Sequence, residues 1–280
     1  MAALFGFDAF SPGEIAERVE TAGVAKARLP IVSLLMLGLL AGAFIGLGSL
    51  YYVIVVSDPS LPHALQRVLG GLVFSLGLLL VVVAGAELFT GNNLLAMAWA
   101  DAKVSTRELA FNWFVVCCAN FGGAVALASI VFLSGHAETH AATYVKIAAA
   151  KTSLPFVQAF FSGVMCNVLV CMAVWMTLAG RSVVDKAVAI VFPISAFVAA
   201  GFEHSVANMY FIPLGMMLQA AAGEPVAVSG LARNLVPVIA GNLVGGSVLV
   251  ALVYYVIYRW PLRVSSAPAR ASHVRRAPPR

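Results

Sequence analysis

The sequence predicts an all-α integral membrane protein, a six-helix bundle whose second and fifth helices are broken. Three observations predict it. Of 280 residues, 61% are hydrophobic and only 10% charged, whereas about a quarter of the residues in soluble domains are charged. Six apolar runs reach the roughly 20 residues needed to cross a hydrocarbon layer. Two of those runs are interrupted by polar groups in matching order, Glu87-Leu-Phe-Thr-Gly-Asn92 and Glu203-His-Ser-Val-Ala-Asn208.

Taken in order, residues 1–29 form an N-terminal arm. Within it, Ser11-Pro12-Gly13-Glu14 is a capping box with proline at the first helical position. It opens an amphipathic helix lying along the membrane surface, with Ile15, Val19 and Ala22 on one face. The arm lacks the basic start, apolar run and small-residue cleavage site of a signal peptide. The transmembrane domain, residues 30–260, holds spans near 30–56, 69–100, 108–134, 155–179, 186–214 and 234–258. Residues 261–280 end in SSAPARASHVRRAPPR, a disordered basic tail by composition.

Lysine and arginine set the orientation. The arm, the second and fourth loops and the tail carry 13 of them, and the alternating loops hold only Arg67, Lys146, Lys151 and Arg233, so 13 stand against 4. Both termini are therefore expected on the cytoplasmic side of a bacterial inner membrane. The net charge of +5 follows from this interfacial placement and implies no nucleic-acid partner. Cys117, Cys118, Cys166 and Cys171 all lie in apolar runs with no C-x-x-C pair, which makes them small buried hydrophobes and indicates neither a disulfide framework nor a metal site.

The two breaks belong to a repeat. The third span carries Ala119-Asn120-Phe-Gly-Gly123 and the sixth Gly241-Asn242-Leu-Val-Gly-Gly246, so each half pairs a broken span with an Asn-containing, glycine-rich one. Three spans per half face the halves in opposite directions, the inverted-repeat arrangement that places a site where broken helices meet. Unwound backbone at that depth is tolerated only where protein or a water-filled cavity satisfies it, and a half-helix beginning there aims free N–H groups at an anion. Glu87 and Glu203, with Asn92 and Asn208, are read as supports of the breaks, the carboxylates accepting from backbone N–H groups. His204 is the only histidine inside a span, His63, His136 and His140 falling in loops; a titratable group at that depth is a functional candidate. Thr90, at the matching break, offers a hydroxyl to the same ligand. Lys151, before the fourth span, either snorkels to headgroups or concentrates anions at a pore mouth. Asn167 is either a helix contact or a vestibule group. Gly38-x-x-x-Gly42-x-x-x-Gly46 and Gly241-x-x-x-Gly245 permit close helix approach, within one chain or between subunits.

Longer strings resemble a known family. GAELFTGN, CNVLVCMAVWM, GRSVVDKA, GFEHSVANM, NLVPVIAGNLVGG and YYVIY, spread from Leu72 to Tyr258, are similar to the formate/nitrite transporter family, closest to its formate branch. The resemblance implies an aquaporin-like six-helix bundle assembled as a homopentamer, with one pore per protomer around a lipid-plugged axis. It further implies a substrate pathway of Thr90, His204, Lys151, Asn167 and Asn242, with constrictions at Phe74, Leu78, Leu88, Phe89 and Phe197. The cargo it implies is a small monovalent anion, formate first and nitrite or hydrosulfide second, moved together with protons and passing the constrictions as the neutral acid. No cofactor follows from it.

Two other classes fit less well. A haem protein wants paired histidines within spans and an intramembrane protease a nucleophile with its base or paired aspartates; the spans hold neither. A channel for water or small neutral solutes would suit the helix breaks, but the paired Asn-Pro-Ala signature is absent.

Overall fold

The computed structural model describes residues 9–262, and among these every regular element is helical. The basic tail beyond 262 lies outside the described residues. Helix α1 is Pro12–Ala27. It is followed by α2 (Ile31–Val56), α3 (His63–Gly85) and, after a break, a 3-10 turn at Gly91–Leu95 that leads into α4 (Ala96–Ala100). Helix α5 is Thr106–Leu133. The second half runs α6 (Ala141–Thr152), α7 (Phe156–Thr177), α8 (Val183–Ala200), a second break, α9 (Ser205–Ala221) and α10 (Ser229–Leu262). Six of these are long and apolar enough to cross a membrane: α2, α3, α5, α7, α8 and α10.

The starts of α3, α5, α8 and α10 fall two to six residues before the apolar runs do, because a helix continues into polar residues until a local stop, not until hydropathy falls. Helix α3 begins behind Pro62, whose fixed extended geometry ends the preceding loop, and not near residue 69. Capping boxes at Ser105/Glu108 and Ser182/Asp185 start α5 and α8. Helix α6 occupies a stretch that reads as loop; its alanines favour helix without making it apolar.

The order is five elements repeated twice, α1–α5 and α6–α10. Equivalent pairs pack alike: α2 on α5 as α7 on α10, and α2 on α3 as α7 on α8. The glycine stretches close these contacts within the chain. A side chain on Gly123 would collide with the Leu39 carbonyl, and one on Gly245 with the Val164 carbonyl. Backbone thus meets backbone at the crossing of α2 with α5 and of α7 with α10.

Helix α1 differs from expectation. Instead of lying on lipid it docks against the end of the bundle, burying Ile15, Ala16 and Val19 against Leu94, Met97, Trp175, Val250 and Tyr255. Glu20 is 1% exposed and takes Lys103 Nζ at 2.6 Å and Arg259 Nη2 at 2.8 Å, tying α1 to the loop before α5 and to the end of α10. Desolvation works against the Lys103 ammonium, but its bonds to Glu20 and Asp101 outweigh that and raise its pKa above the usual lysine value. Among the cysteines, Cys166 and Cys171 are buried, while Cys118 is exposed on α5 and not the buried hydrophobe expected. The outward faces of the spans carry Phe114, Leu133, Phe192 and Val236, all exposed, as a membrane protein requires.

Gly123→Val and Gly245→Val are expected to destabilise by about 3 kcal/mol or more, since carbonyls cannot yield as side chains do. Gly13→Ala, which meets nothing, should stay within about 0.5 kcal/mol. Thermal unfolding followed by size-exclusion chromatography reads both.

Candidate functional site

The first half-helices end at Gly85 (φ 89°) and Gly201 (φ 78°), left-handed positions that favour glycine. Each is followed by a few extended residues, whose backbone would be orphaned without partners. One asparagine serves each break. Asn120 Oδ1 accepts the Phe89 N–H at 2.8 Å, and its Nδ2 donates to the carbonyls of Glu87 (2.9 Å) and Gly38 (2.8 Å). Asn242 repeats this with the Ser205 N–H (2.9 Å) and the carbonyls of Glu203 (3.1 Å) and Gly163 (2.8 Å).

A second repeated cluster flanks each break. Glu203 accepts from Lys151 Nζ at 2.8 Å and from Asn208 Nδ2 at 2.6 Å; Asn208 also donates to Asn234 Oδ1 (2.7 Å), and Asn234 returns to the Lys151 carbonyl (2.9 Å). On the opposite face, Glu87 accepts from Lys26 Nζ at 2.7 Å and Asn92 Nδ2 at 2.7 Å, Asn92 donates to Asn112 (3.0 Å), and Asn112 to the Lys26 carbonyl (3.1 Å). Both carboxylates are buried. A buried charge of this kind persists only when paired and hydrogen-bonded. The carboxylates therefore accept from ammonium and amide side chains, and not from the backbone N–H groups that sequence reasoning assigned to them.

Where the breaks meet, His204 Nε2 lies 3.1 Å from Thr90 Oγ1. Both residues are buried. His204 also caps α9: its Nδ1 accepts the Ala207 N–H at 3.1 Å. An accepting ring nitrogen carries no proton, so the imidazole proton sits on Nε2 and faces the hydroxyl. A second proton on Nδ1 would set two donors against each other.

Two vestibules approach this pair. The one on the α6 side, about 80 Å³, is lined by Lys151, Tyr52, Phe74, Phe197, His204 and Phe211. The one on the α1 side, about 320 Å³, is lined by Lys26, Glu87, Leu78, Leu88, Val81 and Ala22 among others. Phe74 and Phe197 meet edge to face at 5.7 Å, and the Phe197 ring stacks on His204 at 5.8 Å. Phe74 and Phe197 thus close the first vestibule, and Leu78 and Leu88 border the second.

The structure brings together Thr90, His204 and Lys151 with four of the five constriction residues. Phe89 lines neither vestibule; its side chain is buried and its N–H serves the break. Thr90, Asn167 and Asn242, expected in the substrate pathway, also line neither, Thr90 reaching the site through its contact with His204 Nε2. Asn242 supports the break, and Asn167 Nδ2 donates to the carbonyls of Asn242 (2.7 Å) and Thr90 (3.2 Å) and to Asn93 Oδ1 (2.8 Å), a contact between helices. Lys151 is no free ammonium but one half of an ion pair. Sequence reasoning missed Lys26, Asn112 and Asn234. Their spacing was the available signal: Lys26 to Gly38 equals Lys151 to Gly163, and Asn112 to Asn120 equals Asn234 to Asn242.

The comparisons with known proteins agree with this geometry. Residues 13–256 match the family model described as formate/nitrite transporter. The chain is 37% identical over 272 residues to the formate channel FocA of Escherichia coli K12, covering 90% of this chain and 95% of that one. It is 42% identical over 252 residues to the uncharacterized transporter YrhG of Bacillus subtilis 168, covering 88% and 93%. Among solved structures, a pentameric formate channel with formate bound superposes with a TM-score of 0.75 at 36% identity, covering 81% of this chain and 97% of that one. The aquaglyceroporin of Plasmodium falciparum reaches 0.53 at 15% identity, covering 85% and 100%, a likeness of fold alone.

Asn120→Ala and Asn242→Ala each orphan one N–H and one C=O at a break. Each unsatisfied group costs about 1–3 kcal/mol, so a drop of several degrees in Tm is expected for both variants. Equal drops would follow from the equivalence of the two halves.

Proposed function

The chain belongs to the formate/nitrite transporter family, and from that premise we propose how its pore moves formate. It is a membrane channel and not an enzyme. Formate is the first cargo, and the passage is proton-linked, in a homopentamer with one pore per protomer and both termini in the cytoplasm. One observation supports this reading above the rest: two vestibules, each with a lysine–carboxylate station, approach from opposite ends, and the buried Thr90–His204 pair stands between them among Phe74, Phe197, Leu78 and Leu88.

An anion leaving water for the space between Phe74 and Phe197 loses its hydration, at a cost of several kcal/mol or more. The Lys151 ammonium, held 2.8 Å from Glu203, offers it a partial replacement at the entrance. As water is lost, a weak acid's carboxylate becomes more basic and takes up a proton. That proton comes from vestibule water. His204 is no donor, because its Nδ1 already accepts from Ala207, leaving a neutral ring whose Nε2–H offers only a hydrogen bond. The neutral acid passes the phenylalanines, exchanges a hydrogen bond with Nε2–H and Thr90 Oγ1, and slides past Leu78 and Leu88 into the α1-side vestibule. There water and Lys26 favour the anion again, and the proton leaves. Because the two clusters are equivalent, the path runs in either direction as the gradients dictate.

Purified protein in proteoliposomes should take up formate faster under an inward proton gradient than without one, and glycerol not at all. Glycerol flux without formate flux would overturn the reading. Lys151→Met should slow formate uptake about tenfold or more, by removing the attracting charge and leaving Glu203 unpaired. His204→Asn should lower flux yet keep the response to the proton gradient; loss of that response would make the imidazole the proton donor after all.

A further inference from the structure

Beside the α6-side vestibule, behind its wall residue Gly201, stands a cation that the mechanism above does not use. Lys151 and Glu203 together carry no net charge, and toward an anion still outside they act as a dipole. Arg67 has no such partner. It lies on α3 and makes no ion pair among the described residues. Of its five N–H donors only Nε–H has an acceptor there, the Ala199 carbonyl at 2.5 Å near the end of α8.

The rest of the guanidinium lies against Gly201. Gly201 lines the vestibule, and a methyl group on it would lie 2.5 Å from Arg67 Nη2. The Arg67 head therefore fills the space that a side chain would take at this break. On α3, Arg67 and Phe74 are seven residues apart, two turns along one face, so their backbones stand about 10 Å apart along the helix. Over about one Debye length an unpaired charge is felt at low ionic strength and screened as salt rises.

We infer that Arg67 is the anion-capture residue of this vestibule, its free guanidinium edge binding a small carboxylate or similar oxyanion at the rim before the Lys151 station receives it. The inference rests on the reading of this vestibule as an anion entrance. Planar N–H pairs suit a two-oxygen anion such as formate or nitrite better than a single-atom one. The competing role is purely structural, a cation capping the carbonyl end of α8. The two roles differ in what salt and substrate concentration do.

The test measures initial uptake by the full-length protein in proteoliposomes across a range of anion concentrations, at low and at moderate ionic strength. Formate, nitrite and hydrosulfide are run separately. For wild type, half-saturation should rise with ionic strength. Arg67→Gln should raise half-saturation for formate about tenfold at low ionic strength, leave the maximal rate within twofold and abolish most of the salt dependence. Arg67→Lys keeps the charge and loses the fork, so it should keep the salt dependence and raise half-saturation about threefold for formate, with less effect on hydrosulfide. If Arg67→Gln fails to assemble, the lysine variant decides, since loss of salt dependence in it would overturn the inference. Half-saturation within twofold of wild type and an unchanged salt dependence in Arg67→Gln would reduce Arg67 to a helix cap. A wild type that carries none of the three anions would overturn the transport reading and this inference together.

Discussion

Everything in this structure depends on how unwound backbone inside a bundle of apolar helices is satisfied. Water cannot reach those amides and carbonyls, and each one left alone costs several kcal/mol in hydrocarbon. Asn120 and Asn242 meet that constraint by presenting one acceptor and one amino group across each break. Because the same amino groups also reach Gly38 and Gly163, the break is fastened to the neighbouring span as well. Glycines at those crossings are thus part of the same solution: only close backbone approach puts the carbonyl within reach of the asparagine.

Charge is arranged on that frame. Each carboxylate beside a break is held by a lysine from the short helix that begins its half and by an asparagine one turn into the second half-helix. The polar pair between them, Thr90 and His204, has no such symmetry; the positions equivalent to them are Val206 and Leu88. Two-fold architecture therefore supplies the entrances, and one asymmetric hydrogen bond marks the centre.

Much of this was legible in the sequence. Hydropathy found six spans, and the Glu-x4-Asn repeat found both breaks and the side chains flanking them; the Asn120 and Asn242 motifs were seen as a repeat, but not as the groups that satisfy the broken backbone. Asn167 and Asn242 illustrate the limit: a buried amide reads alike whether it faces a pore or a neighbouring helix, and only coordinates separate the two. Lys26 was hidden for another reason. It sits in a polar, surface-like helix, where a lysine is unremarkable until that helix is seen to be the equivalent of α6. Helix starts were misplaced where helices run on into polar residues ahead of the apolar ones, at α5 and α8 back to a capping box and at α3 back to Pro62.

The docking of α1 has a consequence for how the protein is made. Helix α6 packs against α9, which follows it by a little over 50 residues, but α1 rests on Val250, Ala251 and Tyr255, and its Glu20 is bound by Arg259. Helix α1 therefore finds Leu94, Met97 and Lys103 within the first half, but gains Val250, Tyr255 and Arg259 only once α10 is in place. The Lys26–Glu87 pair is complete within the first half, whereas the Arg259 contact that fixes Glu20 comes from α10. The α1-side cluster is thus built from one half of the chain and locked by the other, its final anchor coming from the last span.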